Sequence, residues 1–200
     1  SRTSAMRQAC DAEDNRYLRH DASNLPAFLY RLQQTEPRAF TLIEQTIQSI
    51  ASYFKRFSLA PSSLAPNQIS LVWEEQDSDM YLDAQSLSDG TLRFIALASL
   101  LLQPNPPKTI VIDEPELGLH PAAIVKLAAL VRVASHKAQV IIATQSSSFV
   151  SCFEPEDIVV VERKVGSTAF ARPDKERLAS WLEDYSLGEL WEKNLIGGKP

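Results

Sequence analysis

The chain has 200 residues, of which 44% are hydrophobic and 22% charged, and this composition is typical of a folded globular chain rather than a collagen-like or disordered one. Its 20 basic and 25 acidic side chains give a formal charge of −5, which argues against binding nucleic acid mainly through a positive net field. The longest stretch dominated by apolar residues, 94–102, is far shorter than the about 20 residues that a membrane-spanning helix needs, so no membrane partner is expected.

The first predicted elements are two amphipathic helices that follow a polar connector, residues 1–19. Asn24 followed by Pro26 is typical of an N-cap and a first helical turn. Pro37 begins a second predicted helix. The apolar residues of this second helix recur at steps of three and four: Phe40, Ile43, Ile47, Ile50 and Phe54. Both helices therefore need a partner surface.

A break rich in proline and serine separates these helices from the rest of the chain. After it, residues 69–73 and 80–82 are predicted as short strands around a polar turn. A helix over 92–102 follows, and three closely spaced prolines stop it. The β-branched run 109–112 is then predicted as a fully buried strand.

The remaining pattern alternates helices with apolar strands. Pro121 begins a helix that is expected to end near residue 135, and the runs 139–144 and 158–161 are predicted as two more buried strands. Buried strands separated by helices indicate an α/β layer with a mostly parallel sheet. One or two short helices are expected in the tail.

Two adjacent acids, Asp113 and Glu114, end the strand that starts at Thr109. Ligand crevices of open parallel sheets lie at the carboxyl ends of the strands. An aspartate there is suited to hold Mg²⁺, and the next acid to orient or deprotonate an attacking water. The alternative is a strand that ends in an ordinary solvated acidic turn.

Two further segments belong to this argument. Ser88, Asp89, Gly90 and Thr91 precede the predicted helix at 92, where free amides and the helix dipole favour a phosphate oxygen. The alternative is an ordinary N-cap, with Ser88 or Asp89 capping and Gly90 easing the turn. The segment 143–146, with Gln145, follows another strand and should reach the same crevice as the two acids.

In this order, the three segments resemble the C-terminal half of an ABC-type ATPase domain, of the RecF-like and SMC-like group of predicted bacterial AAA-type ATPases. The resemblance covers residues 24–200. The segment 87–91 matches the ABC signature, with Asp89 where transporters usually have glycine. The string 113–121, Asp-Glu-Pro-Glu-Leu-Gly-Leu-His-Pro, matches the Walker B motif and the loop that follows it.

The sequence departs from the family pattern at two places. Gln145 stands at the switch position, where many ABC enzymes carry histidine. None of the six glycines begins a P-loop, which is a glycine, four residues and then Gly-Lys-Ser or Gly-Lys-Thr. The Gly-Lys pair at 198–199 is followed by Pro200, not by serine or threonine. The ending, 181–200, resembles the tail of the same family, which places the expected C-terminus near Pro200.

The resemblance implies a partial P-loop NTPase lobe of the ABC type, with a connector and helical or lid segment at 1–66 and the lobe at 67–200. It implies hydrolysis of ATP with Mg²⁺, in which Asp113 supports the metal, Glu114 polarises the water and Gln145 senses the γ-phosphate. Residues 88–91, Ser88 to Thr91, would contact nucleotide bound to a partner subunit. Because the Walker A motif is absent from the 200 residues, they are expected to be inactive alone.

The implied partners are an N-terminal ATPase lobe or a second copy of the protein, and, by family analogy, DNA or a DNA-processing protein. Two other functions stay open: a non-hydrolysing regulatory or interaction module built on an ATPase scaffold, and an ATPase subunit that works with a separate nuclease. Cys10 and Cys152 lie far apart and match no metal spacing, which is typical of isolated thiols and predicts a cytoplasmic location.

Overall fold

The structure is a computed structural model that describes residues 5–198. Its helices are α1 (Leu25–Thr35), α2 (Pro37–Gln48), α3 (Asp89–Leu102), α4 (Pro121–Ser135), α5 (Ser147–Val150), α6 (Lys175–Leu182) and α7 (Leu187–Glu192). Its strands are β1 (Cys10–Asp11), β2 (Phe54–Phe57), β3 (Gln68–Ile69), β4 (Val72–Glu75), β5 (Tyr81–Asp83), β6 (Thr109–Asp113), β7 (Gln139–Ala143), β8 (Val160–Lys164) and β9 (Ser167–Ala171). The first four residues of the predicted connector and the expected end at Pro200 lie outside the described residues.

The mixed α/β class is confirmed, and the strands divide into small groups. β6 and β7 pair in parallel, with Asp113 opposite Ala143 at their carboxyl ends. The other pairs among the described residues are antiparallel: β2 with β4, β4 with β5, β1 with β3, and β8 with β9. The parallel part of the expected sheet is therefore the β6–β7 pair.

The prediction of a third buried parallel strand at 158–161 is wrong. Val160 begins β8, which turns back through Gly166 and pairs antiparallel with β9. Val161 and Phe170 face each other across this hairpin and are both exposed. A short run of β-branched residues predicts a strand but carries no information on its partner, and here a turn containing a glycine with positive φ decides the pairing.

The two N-terminal helices are confirmed, but the second is shorter than its apolar periodicity predicts. α2 ends at Gln48, and Phe54 belongs to strand β2 instead. Phe54 is fully buried against the rings of Phe57 and Trp73. Phe54 is buried in the same core as α2, so it continues the apolar spacing of that helix by coincidence although it belongs to a strand.

Asn24 precedes α1 as predicted, yet its side chain does not cap the helix. The amide nitrogen donates hydrogen bonds to the carbonyl oxygens of Asp14 and Tyr17, both at 2.8 Å, and the amide oxygen accepts one from the backbone N–H of Arg19 at 2.9 Å. Asn24 is almost fully buried, so these bonds satisfy its polar atoms and fix the predicted connector onto α1.

Helix α3 lies at the centre of the molecule. Its residues Leu92 and Ile95 belong to a core formed with α1, α2 and the antiparallel strands. Its residues Phe94, Leu97 and Leu101 belong to a second core formed with β6 and α4. A helix that buries apolar side chains on opposite faces is anchored from both sides, so its N-terminus has a fixed position. Residues on both sides of position 66 build the first core. The predicted division of the chain into a segment 1–66 and a lobe 67–200 stays a prediction.

Among residues 5–198, no helix is long and apolar enough to cross a membrane.

Candidate functional site

The predicted signature segment forms the N-terminus of α3. Ser88 is the N-cap residue, and its hydroxyl oxygen accepts a hydrogen bond from the backbone N–H of Thr91 at 3.0 Å. The Thr91 hydroxyl lies 2.9 Å from the Ser88 hydroxyl and 3.0 Å from the Tyr53 hydroxyl. The capping role considered for Ser88 is thus confirmed, whereas a contact of residues 88–91 with phosphate stays a prediction.

Gly90 is required by a close approach between α3 and the loop after β6. A Cβ atom at position 90 would lie 2.2 Å from the carbonyl oxygen of Gly118, which no real contact tolerates. Gly118 itself has a φ of +78°, a conformation that favours glycine. A small pocket of about 140 Å³ lies at this contact and is lined by Ser88, Gly90, Gly118 and His120, among others.

Arg7 also belongs to this region, although no motif or periodicity in the sequence marks it as a site residue. Its guanidinium donates hydrogen bonds to the carbonyl oxygens of Ala84 and Leu87, the latter at 3.0 Å. It also forms an ion pair with Asp89 at 2.7 Å. Arg7 thus links the start of the described chain to the predicted signature segment, across a sequence separation of about 80 residues. Only a tertiary contact could have identified it.

Asp113 and Glu114 lie where the sequence predicts, at the carboxyl end of β6. Asp113 is the last residue of the strand and is exposed. Glu114 donates its backbone N–H to the carbonyl oxygen of Ala143 at 2.8 Å, which extends the pairing with β7 by one residue. Glu114 has a φ of +45°, a left-handed conformation that is costly for a residue with a Cβ atom. This backbone turn directs the chain away from the sheet immediately after the acids.

The carboxyl end of β7 brings Gln145 to the same place. The backbone N–H of Gln145 donates a hydrogen bond to Oε2 of Glu114 at 3.3 Å. The preceding Thr144 donates its hydroxyl to Oε1 of Glu116 at 2.5 Å and accepts the backbone N–H of Ser146 at 3.0 Å. The predicted convergence of these two strand ends is therefore observed in the structure.

Glu116 is a site residue that the sequence did not single out. It is 6% exposed, and its Oε2 has no hydrogen-bond partner among the described residues. Burial is the main cause that raises the pKa of Glu116; the hydrogen bond from Thr144 opposes this rise, and the Glu114 carboxyl adds to it. Its position three residues after Asp113 was visible in the sequence, but its burial was not.

The candidate residues form two groups. One group is the carboxyl edge of β6 and β7, with Asp113, Glu114 and Gln145. The other is the N-terminus of α3, whose pocket includes residues 118–120 but none of the first group. The loop from Glu114 to His120 connects the two groups, and His120 ends it as the N-cap of α4, accepting the N–H of Ala122 at 3.2 Å.

Comparisons with solved structures relate this fold to SMC ATPase heads. One similar structure is described under the heading of ATP-driven dimerization and DNA stimulated activation of SMC ATPases, with a TM-score of 0.55, 16% identity, and coverage of 78% of this chain and 96% of that one. A second is an Smc head bound to the C-winged helix domain of ScpA, with a TM-score of 0.59, 16% identity, and coverage of 84% and 50%.

A third similar structure is the Smc head domain from Pyrococcus furiosus with an extended coiled coil, bound to the C-terminal domain of ScpA. It has a TM-score of 0.51 and 17% identity, and the match covers 82% of this chain and 44% of that one. This chain thus spans about half or less of the second and third structures. At such low identity these likenesses concern the fold alone.

No curated protein matches the chain. A family model does match, over residues 7–151, which include α1 to α4, both strands of the parallel pair and the two groups of candidate residues. On this match, the chain belongs to the family described as AAA domain, putative AbiEii toxin, Type IV TA system.

Proposed function

We propose that this chain is the part of a Mg²⁺-dependent ATPase of ABC and SMC type that supplies the signature, the Walker B acids and the switch residue. The observation that carries the proposal is the meeting of two strand ends: the acids after β6 and Gln145 after β7 are joined by the hydrogen bond from the Gln145 amide to Glu114. An edge of this kind is where parallel α/β sheets bind and convert ligands.

Asp113 fits the expected magnesium ion. It offers an exposed carboxylate, and Mg²⁺ in nucleotide sites usually takes one or two carboxylates together with phosphate oxygens and waters. Among the described residues, no cluster of three or more histidine, cysteine or acidic side chains could hold a metal ion. When bound, Mg²⁺ would neutralise charge on the phosphates.

Glu114 and Gln145 have complementary parts in the proposed reaction. The Glu114 carboxylate is expected to accept a hydrogen bond from the attacking water and polarise it towards the γ-phosphate. Gln145 carries an amide that can donate to a phosphate oxygen but cannot become a cation. The hydrogen bond from the Gln145 backbone N–H to the Glu114 carboxylate would couple the position of the proposed base to that of the proposed γ-phosphate sensor.

Residues 88–91 are proposed to contact nucleotide that is bound to a partner subunit. The Ser88 oxygen accepts the Thr91 amide, and its hydroxyl hydrogen is free to rotate between Thr91 and an incoming phosphate oxygen. The N-terminus of α3 adds a favourable dipole for an anion. The partner is proposed to be a second copy of the protein, with DNA or a DNA-processing protein as the client of the ATPase cycle.

The P-loop is proposed to come from an N-terminal ATPase lobe that covers the open face of β6 and β7. Val111 and Ile141 project from that face and are 73% and 48% exposed. Parallel strands are almost always covered on both faces, so a two-stranded parallel pair with an exposed apolar face is incomplete. This is independent support for a missing lobe, because it does not depend on motifs.

The proposal is tested by replacing Glu114 with glutamine in the complete protein that contains this chain. Glu114→Gln is expected to lower ATP turnover at least about 100-fold, because general-base catalysis contributes factors of this size, while nucleotide affinity changes little. Steady-state phosphate release and equilibrium binding of a fluorescent ATP analogue measure the two quantities. Glu183→Gln, at an exposed position after α6, is the matched control and should keep full turnover.

Undiminished turnover in Glu114→Gln would remove Glu114 from its proposed role. Nucleotide binding without any turnover in the unaltered complete protein would instead favour the non-hydrolysing module. The absence of a P-loop among the 200 residues is the observation that keeps this second function open. Turnover that appears only with an added nuclease would favour the third function, an ATPase subunit that works with a separate nuclease.

A further inference from the structure

Tyr53 carries a hydroxyl that the proposed mechanism does not use. The residue lies in the turn between α2 and β2, and its phenol oxygen is 3.0 Å from the hydroxyl of Thr91 in the first turn of α3. The Thr91 hydroxyl is in turn 2.9 Å from the hydroxyl of Ser88. Three hydroxyl groups thus form a continuous hydrogen-bonded chain that ends at the N-cap of α3.

The Tyr53 ring is held in place by a buried neighbour. It packs edge to face against Trp73, with ring centroids 5.8 Å apart, and Trp73 is 1% exposed. The indole N–H of Trp73 donates to the carbonyl oxygen of Asp83 at 3.2 Å and to the Ser86 hydroxyl at 3.1 Å. Trp73 therefore anchors both the Tyr53 ring and the chain that leads into residues 88–91. A side chain that is already ordered loses little conformational entropy when its hydroxyl forms a hydrogen bond.

The direction of the hydroxyl chain follows from the groups at its two ends. The Ser88 oxygen already accepts the backbone N–H of Thr91 at 3.0 Å. A hydroxyl oxygen can accept a second hydrogen bond while its own hydrogen donates elsewhere. At the other end, the phenol O–H of Tyr53 is a stronger donor than an aliphatic hydroxyl. The favoured order of donation is Tyr53 to Thr91 to Ser88, which leaves the Ser88 hydrogen directed away from the chain.

We propose that Tyr53 is a positioning residue for Ser88: it donates to Thr91, Thr91 donates to Ser88, and the Ser88 hydrogen is thereby presented to a phosphate oxygen. Without the Tyr53 donor, Thr91 accepts from Ser88 as readily as it donates, and the Ser88 hydrogen then points back into α3. Hydroxyls in a chain also polarise one another, which strengthens the last donor. The inference rests on the proposed contact of residues 88–91 with nucleotide bound to a partner subunit.

Tyr53→Phe in the complete protein tests this role, because phenylalanine keeps the ring against Trp73 and removes only the hydroxyl. The kcat for ATP should fall about 3- to 10-fold with KM little changed, a factor of the size that one neutral hydrogen bond contributes. Ser88→Ala removes the donor itself and should lower kcat about 100-fold. Tyr81→Phe removes the hydroxyl of another exposed tyrosine and, as the matched control, should keep full turnover.

A combined variant separates positioning of Ser88 from a general effect on the fold. If Tyr53 acts through Ser88, the protein with both Tyr53→Phe and Ser88→Ala should have the kcat of Ser88→Ala alone, because no Ser88 hydrogen is left to orient. A purely structural effect of Tyr53→Phe would instead multiply the loss caused by Ser88→Ala. Multiplied losses, full turnover in Tyr53→Phe, or a change confined to KM would each overturn the proposal.

Urea denaturation of the 200-residue chain tests the hydroxyl chain independently of ATP turnover. A double-mutant cycle of Tyr53→Phe and Thr91→Val should show a coupling of about 2- to 10-fold in the folding equilibrium constant, because each variant breaks the same hydrogen bond. Additive effects would show that Tyr53 does not bind Thr91 and would overturn the proposal. If the unaltered complete protein does not hydrolyse ATP, the proposed function fails and the role of Tyr53 towards phosphate fails with it, whereas the coupling still decides whether the hydroxyls are joined.

Discussion

Arg7 shows how a single side chain can hold the predicted signature segment, residues 88–91, in place. Its side chain is 15% exposed, and it donates to two backbone carbonyls and to Asp89, whose side chain is 60% exposed. An ion pair with an exposed partner contributes about 0–1 kcal/mol, whereas hydrogen bonds made by a charged group contribute about 1.5–3 kcal/mol. The carbonyl bonds should therefore matter more than the ion pair.

A double-mutant cycle between Arg7 and Asp89 tests this ranking by urea denaturation. Arg7→Ala should lower the free energy of unfolding by about 1–3 kcal/mol, because the Leu87 carbonyl loses its Arg7 donor and the Ala84 carbonyl keeps only the Leu87 N–H at 3.3 Å. Asp89→Asn should cost less than about 1 kcal/mol, and the coupling energy should also stay below about 1 kcal/mol. A coupling energy that accounts for most of the Arg7 effect would show that the ion pair dominates instead.

The sequence predicted those site residues whose role depends on a local pattern. Asp113 and Glu114 follow a β-branched run, and Ser88 precedes an apolar helix, so both placements could be worked out from spacing. Arg7 and Glu116 could not be found in this way, because their roles depend on contacts with residues that are distant in sequence and on burial. A lone arginine in a polar segment has no periodicity to mark it.

At the scale of elements, the C-terminal helix α7 is fastened to α5. Gly188 donates its backbone N–H to the Ser151 hydroxyl at 3.1 Å, and the same hydroxyl bonds to Ser186, the N-cap of α7. Leu187 and Leu190 are buried beside Val150 at the end of α5. Since α5 begins two residues after Gln145, the position of α7 bears on the position of the proposed switch residue.

Gly188→Ala should detach α7 from α5. A Cβ atom at position 188 would lie 2.1 Å from the Ser147 carbonyl oxygen, so the helix must move and expose Leu187 and Leu190. The expected loss is about 1–3 kcal/mol, with faster hydrogen exchange in residues 147–151 and 187–192. Gly166→Ala strains its own hairpin turn, where φ is +76°, but its Cβ meets nothing within 4 Å, so exchange in both segments should stay unchanged. Equal exchange in the two variants would contradict the clash.

Element type was predictable where turns or prolines flank an apolar pattern, the short strand β5 included, and the errors lie at Phe54 and in the pairing of β8. α3, α4, β6 and β7 occur close to their expected positions because their apolar runs are flanked by prolines or turns. The pairing of β8 and the assignment of Phe54 depended on partners across the fold, which a local period does not encode. The α/β class was therefore accessible from the sequence, and the antiparallel pairing of β8 with β9 was not.

At the scale of the whole molecule, one face of the β6–β7 pair is covered and the other is open. Ile110 is 4% exposed and packs in the core with α3 and α4, whereas the next residue, Val111, is 73% exposed on the opposite face. Consecutive strand residues point to opposite faces, so this difference reports on the two sides of the sheet directly. The proposed P-loop lobe would close the open side.

Adjacent alanine substitutions in β6 distinguish the covered face from the open one. In the 200-residue chain, Ile110→Ala should cost about 2–5 kcal/mol because it empties part of the core, whereas Val111→Ala should cost less than about 1 kcal/mol, the range of strand propensity. Urea denaturation of both variants gives the two values. In the complete protein the proposed lobe would bury Val111, and the cost of Val111→Ala should then exceed 1 kcal/mol, as expected for about one or two buried methyl groups. Equal costs for the two positions in the 200-residue chain would mean that the open face is already covered there, and the argument for a separate lobe on that face would fail.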